Sequence, residues 1–427
     1  MVAVRGPDGV LALGGVSLAA LVRDARIGTP SYVYDLDAIA AEAKALDAAF
    51  DGTPHLIAYA VKANSAGSIV RTLAAAGCGA DVVSGGELLL AQRCGITPDK
   101  IVYSGVAKTD EELDLAITAG ENGIAGIQVE SVEEIPRIEA RAKTHGRAAR
   151  VSLRINPGVD AEQLDTHSYI ATGHDDAKFG VPLSSLPDAL PLLEKAKHVR
   201  LVGIASHVGS QFTTTDAYLA SARAAFNVAK DLRGRFALAY VDAGGGFGID
   251  YGDGCPARPA DFIRATRALQ REMGLDDLAL YCEPGRSLVA SHAVLIARVI
   301  LRKEALRASV ARRWTMIDAG MNDLMRPALY QARHRIVAIE QDPKAEMIPS
   351  RVVGPVCESS DDFGVHELPA GALEAVAILD AGGYGYSMAS RYNGRPLPAE
   401  VFLRGGQVAH IHARRPRTDW VDDRAEA

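Results

Sequence analysis

Strand-like apolar runs alternate with helical stretches eight times between about residue 55 and residue 286. In the first helical stretch, apolar residues from 69 to 76 recur at helical intervals, and Gly77 stands where a C-capping glycine belongs. Eight β/α units of this total length predict a closed parallel (β/α)8 barrel. The predicted strands are 56–61, 80–83, 101–104, 126–129, 151–155, 201–206, 239–242 and 279–282.

After residue 286 the pattern changes. Strand-like segments follow one another without regular helices between them, at 292–303, 335–342, 375–383 and 407–415. This pattern predicts a second, mainly antiparallel β domain. A chain of 427 residues also exceeds the size at which one core stops growing. We therefore predict a barrel domain at 36–286 and a β-rich domain beyond it.

Charge and cysteine content exclude several classes of protein. The 46 basic and 53 acidic residues give a net charge of -7 without a local basic stripe, so no nucleic-acid partner is expected. The N-terminus lacks the features of a signal peptide, and no apolar run approaches the ~20 residues that span a bilayer, so we expect no membrane contact and a cytoplasmic protein. The five cysteines form no CxxC pair, which favours reduced thiols. His410 and His412 lack a third ligand nearby, so no metal is expected.

A single cationic residue, Lys62, ends the apolar run at 55–61. A lysine at the mouth of a buried strand is partly desolvated, which favours the uncharged amine that forms Schiff bases. A lysine that simply extends from the strand end into water is the alternative. Other polar or glycine residues follow or close predicted strands, so we expect them at the same rim: Asp81, His207, Gly244, Gly245, Gly246, Glu283 and Arg286.

The glycine-rich segment DAGGGFG (242–248) suggests a phosphate site. A dinucleotide fingerprint would open directly into a helix and be followed by an acid ~20 residues later. Here the next helical stretch begins only near Pro259. We predict instead that Gly244, Gly245 and Gly246 let backbone N–H groups close on a phosphate between the seventh and eighth strands. A tight turn without a ligand is the alternative.

Nine motifs follow one another along nearly the entire chain: YAVKAN (59–64), ADVVSGGEL (80–88), ATGHDDAKFG (171–180), SHVGSQ (206–211), DAGGGFG (242–248), EPGRS (283–287), MNDLMRPALY (321–330), GPVCESSD (354–361) and GYGYSMASRYN (383–393). Together they resemble the pyridoxal-phosphate (PLP) decarboxylases of the alanine-racemase-like fold, and the diaminopimelate decarboxylases in particular. The resemblance implies that residues 1–35, with the strand-like GVLALGGV (9–16), join the β-rich domain formed by 287–427.

The resemblance also implies a PLP site on the barrel. Lys62 would hold the cofactor, Glu283 would face the ring nitrogen, and His207 would stack on the ring. Glu283 could instead be an acid paired with Arg286, and Asp81 could cap the following helix. The implied cofactor residues are Lys62, Asp81, His207, Ser210, Gly244, Gly245, Gly246, Glu283, Gly285, Arg286 and Tyr384, with Tyr386 as the second candidate for the phosphate contact.

Substrate binding is implied in the β-rich domain. Related decarboxylases of diamines carry an acid after the MND motif, whereas this chain has Arg326, which would bind a carboxylate unless it is a surface charge. A substrate that is an amino acid at both ends, meso-2,6-diaminopimelate, would fit, and the product would be L-lysine. The implied substrate residues are Arg286, Arg326, Tyr330, Glu358 and Tyr384.

Cys357 is the implied acid that protonates the α-carbon after CO2 leaves. It would be supplied across the interface of a homodimer with shared active sites, in which the β-rich domain contributes to both the substrate site and the interface. A buried core cysteine is the alternative. At the level of function, the alternatives are a same-fold decarboxylase of another basic amino acid or carboxylated polyamine, and a non-catalytic PLP-binding regulator.

Overall fold

The computed structural model describes residues 3–157, 178–304 and 313–425. Most of the ATGHDDAKFG motif, residues 171–177, lies outside these ranges. The chain divides into two compact units. The β unit comprises Met1–Ile39, Asp250–Asp253 and Leu288–Ala427, and the barrel unit comprises Ala40–Ile249 and Gly254–Ser287.

The N-terminal segment contains β1 (Val4–Arg5), β2 (Leu11–Leu13), β3 (Val16–Ser17), α1 (Leu18–Arg23), β4 (Ser31–Asp35) and α2 (Leu36–Ala48). Strands β1 to β3 form a small antiparallel sheet. Helix α1 begins after Ser17, whose hydroxyl accepts the N–H of Ala20. The GVLALGGV segment supplies β2 and β3 of this small sheet, and Val10 makes one bridge to Glu340. The N-terminal strand that enters the large sheet of the β unit is β4 instead.

Eight parallel strands close the barrel, and the predicted fold is confirmed. The eight strands are β5 (His55–Ala60), β6 (Gly79–Val82), β7 (Ile101–Tyr103), β8 (Gly126–Val129), β9 (Ala149–Asn156), β11 (Val199–Ser206), β12 (Tyr240–Gly245) and β13 (Ala279–Glu283). A two-residue strand, β10 (Val181–Pro182), pairs in parallel with the end of β9. Pairing of β8 with β9 and of β13 with β5 completes the ring. Each predicted strand is found with its ends shifted by at most three residues.

Helices connect the barrel strands: α3 (Gly67–Ala75), α4 (Gly85–Arg93), α5 (Asp110–Thr118), α6 (Glu134–Thr144), α7 (Leu186–Lys195), α8 (Asp216–Leu232), α9 (Pro259–Glu272) and α10 (Arg286–Val289). Gly77 has a positive φ of 96° after α3, as expected of a C-terminal cap. The helix after the glycine loop begins at Pro259, so the loop does not open directly into it. Because all strands are parallel, their carboxyl ends meet at one rim.

The β unit is built on a mixed, mainly antiparallel sheet in the order β18-β17-β15-β14-β4-β20-β21, with β19 pairing β14 and β16. Its elements are β14 (Ala293–Glu304), β15 (Arg313–Ile317), α11 (Arg326–Tyr330), β16 (Ile336–Ala338), β17 (Met347–Val353), β18 (Asp362–Pro369), β19 (Ala375–Ile378), β20 (Ala399–Arg404), β21 (Gln407–His412) and α12 (Arg417–Ala425). The pairs β15–β17 and β4–β20 are parallel. The expectation of no regular helices between the strand-like segments was wrong for the five-residue α11, whereas α12 follows the last of these segments.

Candidate active site

Lys62 lies in a single 3-10 turn (Val61–Ala63) that follows β5 at the rim of the barrel. Its Nζ donates a hydrogen bond of 2.7 Å to Oδ2 of Asp81, which is fully buried on the neighbouring strand β6. Lys62 therefore does not extend freely into water. Asp81 is also not a helix cap, because Ser84 caps α4 by accepting the N–H of Glu87. The structure thus brings the predicted lysine and acid into direct contact.

Three buried carboxyl groups form the floor below Lys62: Asp81 on β6, Asp242 on β12 and Glu283 at the end of β13. Ser104 Oγ donates to Asp81 and, at 3.3 Å, to Glu283 Oε1. Gln128 Nε2 donates to Glu283 Oε1 at 2.6 Å and to Asp242 Oδ2 at 3.3 Å. Glu283 is therefore fixed by neutral donors on β8 and after β7.

Burial raises the pKa of Glu283 well above its usual value, and the neighbouring Asp242 and Asp81 carboxylates add to this effect, while Lys62 opposes it. Burial likewise raises the pKa of Asp242 to about 6, although the N–H of Gly244 hydrogen-bonds to this carboxylate. Such a floor favours a cation placed above it, because that cation relieves the repulsion among three acids. A protonated pyridine ring is a cation of this kind.

His207 follows β11, and its ring Nδ1 accepts the N–H of Gly245 at 3.1 Å. Burial lowers the pKa of His207 well below its usual value, and Arg154 and Lys62 lower it further. The imidazole is therefore neutral, with its proton on Nε2. Although His207 Nδ1 lies 3.5 Å from Glu283 Oε2, a neutral ring makes no ion pair there. A neutral flat ring suits stacking on an aromatic cofactor.

The glycine loop after β12 is packed so closely that side chains would not fit. A Cβ atom on Gly245 would lie 1.9 Å from the Glu283 carbonyl oxygen, and one on Gly246 would lie 2.3 Å from that of Gly209. Gly246 also has a positive φ of 92°. The N–H groups of Gly244 and Gly245 hydrogen-bond to Asp242 and His207. The loop is thus a bare-backbone surface on the rim, and its predicted contact with a phosphate stays a prediction.

Arg286 opens α10 directly after Glu283, Pro284 and the buried Gly285. It is buried, and its guanidinium donates to Ser210 Oγ at 3.1 Å. Glu283 receives its hydrogen bonds from Gln128 and Ser104 instead. The arginine therefore ties the SHVGSQ loop to the EPGRS turn.

In the β unit, Arg326 opens α11 and is 6% exposed, so it is not a surface charge. Its guanidinium lies 2.8 Å from Nε2 of His334 and 4.8 Å from the ring centroid of Tyr251. His334 Nδ1 lies 2.9 Å from the Leu379 carbonyl oxygen, to which it donates, so Nε2 accepts from Arg326. Arg326 is therefore a buried cation in contact with His334 and Tyr251. Tyr330 ends the same helix and is half-buried.

Cys357 and Glu358 lie on the loop between β17 and β18, and both are exposed. The alternative of a buried core cysteine is wrong for Cys357. Its backbone N–H donates to Asn393 Oδ1 at 3.1 Å, and Tyr392 donates to Glu358 Oε1 at 2.5 Å. The VCESSD loop and the end of the GYGYSMASRYN motif are thus tied together.

Tyr384 and Tyr386 differ in backbone and packing. Tyr384 has a positive φ of 57°, which is uncommon for a residue with a side chain and is found at functional sites. Tyr386 packs edge-on against Tyr32, with ring centroids 6.0 Å apart, and burial raises its pKa to about 12. The constrained backbone favours Tyr384 as the residue with a binding role.

Sequence reasoning missed the polar residues that build the floor of the barrel: Ser104, Gln128, Arg154 and Asp242. Ser104, Gln128 and Asp242 lie in or just after strands that are otherwise apolar, and that contrast was the available signal. The strand of Arg154 holds other polar residues and gave no such contrast. Arg154 pairs with buried Glu130 at 2.8 Å and donates to the His207 carbonyl. Across the three described ranges, no group of three or more His, Cys, Asp or Glu side chains could hold a metal ion. Within the same ranges, no helix is long and apolar enough to cross a membrane.

The chain is similar to known proteins in both sequence and fold. Residues 36–290 match the family described as pyridoxal-dependent decarboxylase, pyridoxal binding domain. The chain is 40% identical over 405 residues to a diaminopimelate decarboxylase from Zymomonas mobilis, covering 93% of each chain. It superposes on the diaminopimelate decarboxylase from Helicobacter pylori complexed with L-lysine with a TM-score of 0.85, at 37% identity, covering 93% of this chain and 97% of that one. For the enzyme from M. jannaschii in co-complex with L-lysine, the TM-score is 0.88 at 35% identity, with 98% and 96% covered.

The chain belongs to the PLP-dependent decarboxylases. Within that class it is a member of the diaminopimelate decarboxylase family. The predictions of family, fold, PLP as cofactor and decarboxylase activity are confirmed. The floor of the barrel fits this cofactor, because its buried carboxyl groups suit a protonated pyridine ring.

Proposed function

We propose that the chain decarboxylates meso-2,6-diaminopimelate to L-lysine and CO2, with its own residues in the roles given below. The contact between Lys62 Nζ and Asp81 at the barrel rim, beside buried Glu283, carries this proposal. The names of the relatives and the binding of L-lysine by two of the similar structures support the choice of substrate.

PLP, when bound, accepts the electron pair that the departing carboxylate leaves on the substrate's α-carbon. Lys62 supplies the amine that holds the cofactor, and Asp81 orients that amine. Glu283 holds the proton at the ring nitrogen, since a carboxylate beside it favours its protonated form. His207 supports the flat face of the ring. Ser210, Gly244, Gly245, Gly246, Gly285, Arg286 and Tyr384 complete the cofactor site.

The substrate carries an amino acid group at each end, so one end must be recognised without reacting. Arg286 and Arg326 bind the distal carboxylate, and Glu358 binds the distal ammonium. Tyr330 and Tyr384 flank the substrate. The burial of Arg326 at the start of α11, within hydrogen-bond distance of His334, supports its role, because a buried guanidinium is stabilised by an anion that binds beside it.

Cys357 donates the proton that the α-carbon needs after CO2 has left. In this proposal it acts in the site of a second subunit, so that each site of a homodimer uses Lys62 of one chain and Cys357 of the other. The exposure of Cys357 and Glu358 supports this arrangement, because both groups are open to a partner. A groove of 880 Å³ lined partly by Met321, Met325, Tyr392 and Trp420 lies in the same unit.

The domain roles predicted from the sequence form part of the proposal. Residues 36–286 hold the cofactor, whereas 1–35 and 287–427 contribute to the substrate site and the dimer interface. We also propose that the protein is cytoplasmic and that it has no nucleic-acid partner.

Incubation of the purified protein with PLP and meso-diaminopimelate, with CO2 and lysine as readouts, tests the substrate. D-lysine, D-ornithine and L-ornithine serve as competing candidates in parallel reactions. We expect turnover of meso-diaminopimelate to exceed that of the others by at least about a hundredfold, since buried cations left without a carboxylate partner penalise the smaller substrates. Preferred turnover of another amine would overturn the substrate assignment.

A further inference from the structure

Gln128 is a polar residue inside a barrel whose interior is normally filled by branched apolar side chains. It lies on β8 and is 1% exposed. Its side-chain Nε2 has two acceptors, Glu283 Oε1 at 2.6 Å and Asp242 Oδ2 at 3.3 Å. Because only the amide nitrogen can donate to two carboxyl groups, these contacts also fix which way the amide points.

The position of Gln128 in the barrel explains how its amide reaches Glu283. In the ring of strands, β8 is the fourth from β5 and β13 is the eighth, so the two lie on opposite sides of the barrel. The amide therefore reaches across the interior to Glu283. The main chain of Gln128 is held as well, because its carbonyl accepts from Lys108 Nζ at 2.7 Å, and Lys108 pairs with Glu134 at 3.3 Å.

A neutral donor is the chemistry that Glu283 requires. A cationic side chain in this place would satisfy Glu283 permanently and compete with the protonated ring of the cofactor. An apolar side chain would leave the carboxyl group with fewer donors in a buried site next to Asp242, which favours the protonated acid. An amide supplies one N–H to each of two carboxyl groups and leaves the charge of Glu283 available.

We propose that Gln128 is a positioning residue for the cofactor: it aims the Glu283 carboxylate at the ring nitrogen and favours its charged form. This inference rests on the proposed role of Glu283. Gln128 touches neither substrate nor cofactor in this scheme and acts through Glu283. Asp242 shares the same amide, so its orientation depends on Gln128 too.

Gln128→Met tests the proposal, with Gln270→Met as the matched control. Gln270 is also fully buried, but its amide donates to the carbonyls of Leu275 and Leu278. We expect Gln128→Met to weaken PLP binding to the apoenzyme by about tenfold to a hundredfold, the size of a lost hydrogen bond to a charged group. Gln270→Met should lower the melting temperature and leave the PLP dissociation constant unchanged.

Two outcomes would overturn the role of Gln128. One is PLP binding and kcat in Gln128→Met equal to those of the wild type. The other is equal weakening of PLP binding in both variants, which would show a general loss of barrel packing rather than a specific contact.

Gln128→Glu provides a second arm that depends on pH. When protonated, the introduced carboxyl can still donate to Glu283, whereas its ionised form repels Glu283 and Asp242. The ratio of PLP dissociation constants, variant over wild type, should therefore stay within a few-fold at pH 5.5 and rise to about a hundredfold at pH 8.5. A ratio that does not change with pH contradicts the proposal, even if Gln128→Met fails to fold.

Glu283→Gln separates this inference from the proposed function. If Glu283→Gln binds PLP and turns over substrate as the wild type does, the assignment of Glu283 is wrong. If Glu283→Gln is impaired but Gln128→Met is not, only the role of Gln128 is wrong. If both hold, adding Gln128→Met to the Glu283→Gln protein should change PLP affinity by less than about twofold, because the two residues act as one unit.

Discussion

The barrel and the β unit present their predicted site residues in opposite ways. In the barrel, Lys62 contacts Asp81, and Glu283 is buried and held by donors from two other strands. In the β unit, Cys357 and Glu358 are exposed on a loop. The loop itself is fixed through its backbone, since buried Asp361 accepts the N–H groups of Met321 and Val356 at 2.6 Å each.

This difference indicates two solutions to the placement of reactive groups. Parallel strands bring side chains from distant parts of the sequence to one rim, so a charged cofactor site can be assembled and desolvated within one unit. A loop can hold a proton donor in a defined place without burying it. A site that needs both a desolvated cofactor and an exposed loop residue must exclude water from the loop in another way. A second subunit that covers the loop can do so.

The largest expected effect concerns the barrel alone. Lys62→Ala removes the amine that holds the cofactor, so the visible Schiff-base absorbance should disappear and turnover should fall by more than about a thousandfold. Lys100→Ala is the control, because Lys100 is a barrel lysine whose Nζ donates to the Gly77 carbonyl oxygen at 3.3 Å. The control should keep both the absorbance band and turnover. A Lys62→Ala protein that keeps both the absorbance band and turnover would contradict the role of Lys62 in the barrel.

Arg326→Asp tests whether the β unit recognises the distal carboxylate. Replacing a buried attractive charge with a repulsive one should cost about 2 to 5 kcal/mol, or roughly thirtyfold to several thousandfold in kcat/KM. The absorbance of bound PLP should remain, since Lys62 and the other proposed cofactor residues except Tyr384 lie in the barrel unit. Arg326→Lys should recover part of the activity by restoring the charge. Unchanged kinetics in Arg326→Asp would place Arg326 outside the substrate site.

Mixed dimers test the proposed division of one site between two chains. Lys62→Ala and Cys357→Ala homodimers should each be inactive, but subunit exchange should give about half mixed dimers and about a quarter of all sites intact. Lys62→Ala mixed with Glu283→Ala is the control: both residues would serve the same site from one chain, so no intact site can form. Verified mixed dimers of the first pair without recovered activity would mean that Cys357 serves its own subunit or plays no catalytic part.

The smallest effect is on the stability of the apoenzyme. Burial raises the pKa of Glu283 above its value in the unfolded chain, so the folded state binds this proton more tightly. The stability from this group is therefore present at low pH and is lost as pH rises from about 4.5 through the folded-state pKa. Glu283→Gln removes this loss, so the apoenzyme should gain stability relative to the wild type at pH 8, and gain less at pH 5.

Urea unfolding of both apoproteins at the two pH values measures this difference. An equal gain in stability at pH 5 and pH 8 would show that ionisation of the buried Glu283 carboxyl group does not destabilise the folded apoenzyme.

The sequence by itself determined the barrel and most of its rim. Apolar runs located all eight strands because a strand buried on both faces is mostly apolar. The rim followed, because residues after parallel strands must meet at one end. The alternation also placed Lys62 and Asp81 at the same rim. Their direct contact depends on the pairing of β5 with β6, which the structure shows.

The tertiary structure decided what joins distant strands. Gln128 and Glu283 are separated by 155 positions and meet only because the barrel closes. The same holds for β4, which enters the sheet of the β unit between β14 and β20. Local pattern also could not show that Arg326 is buried and Cys357 exposed, because each sits beside both polar and apolar residues. Such properties depend on how separate segments pack, and a one-dimensional pattern carries no record of that packing.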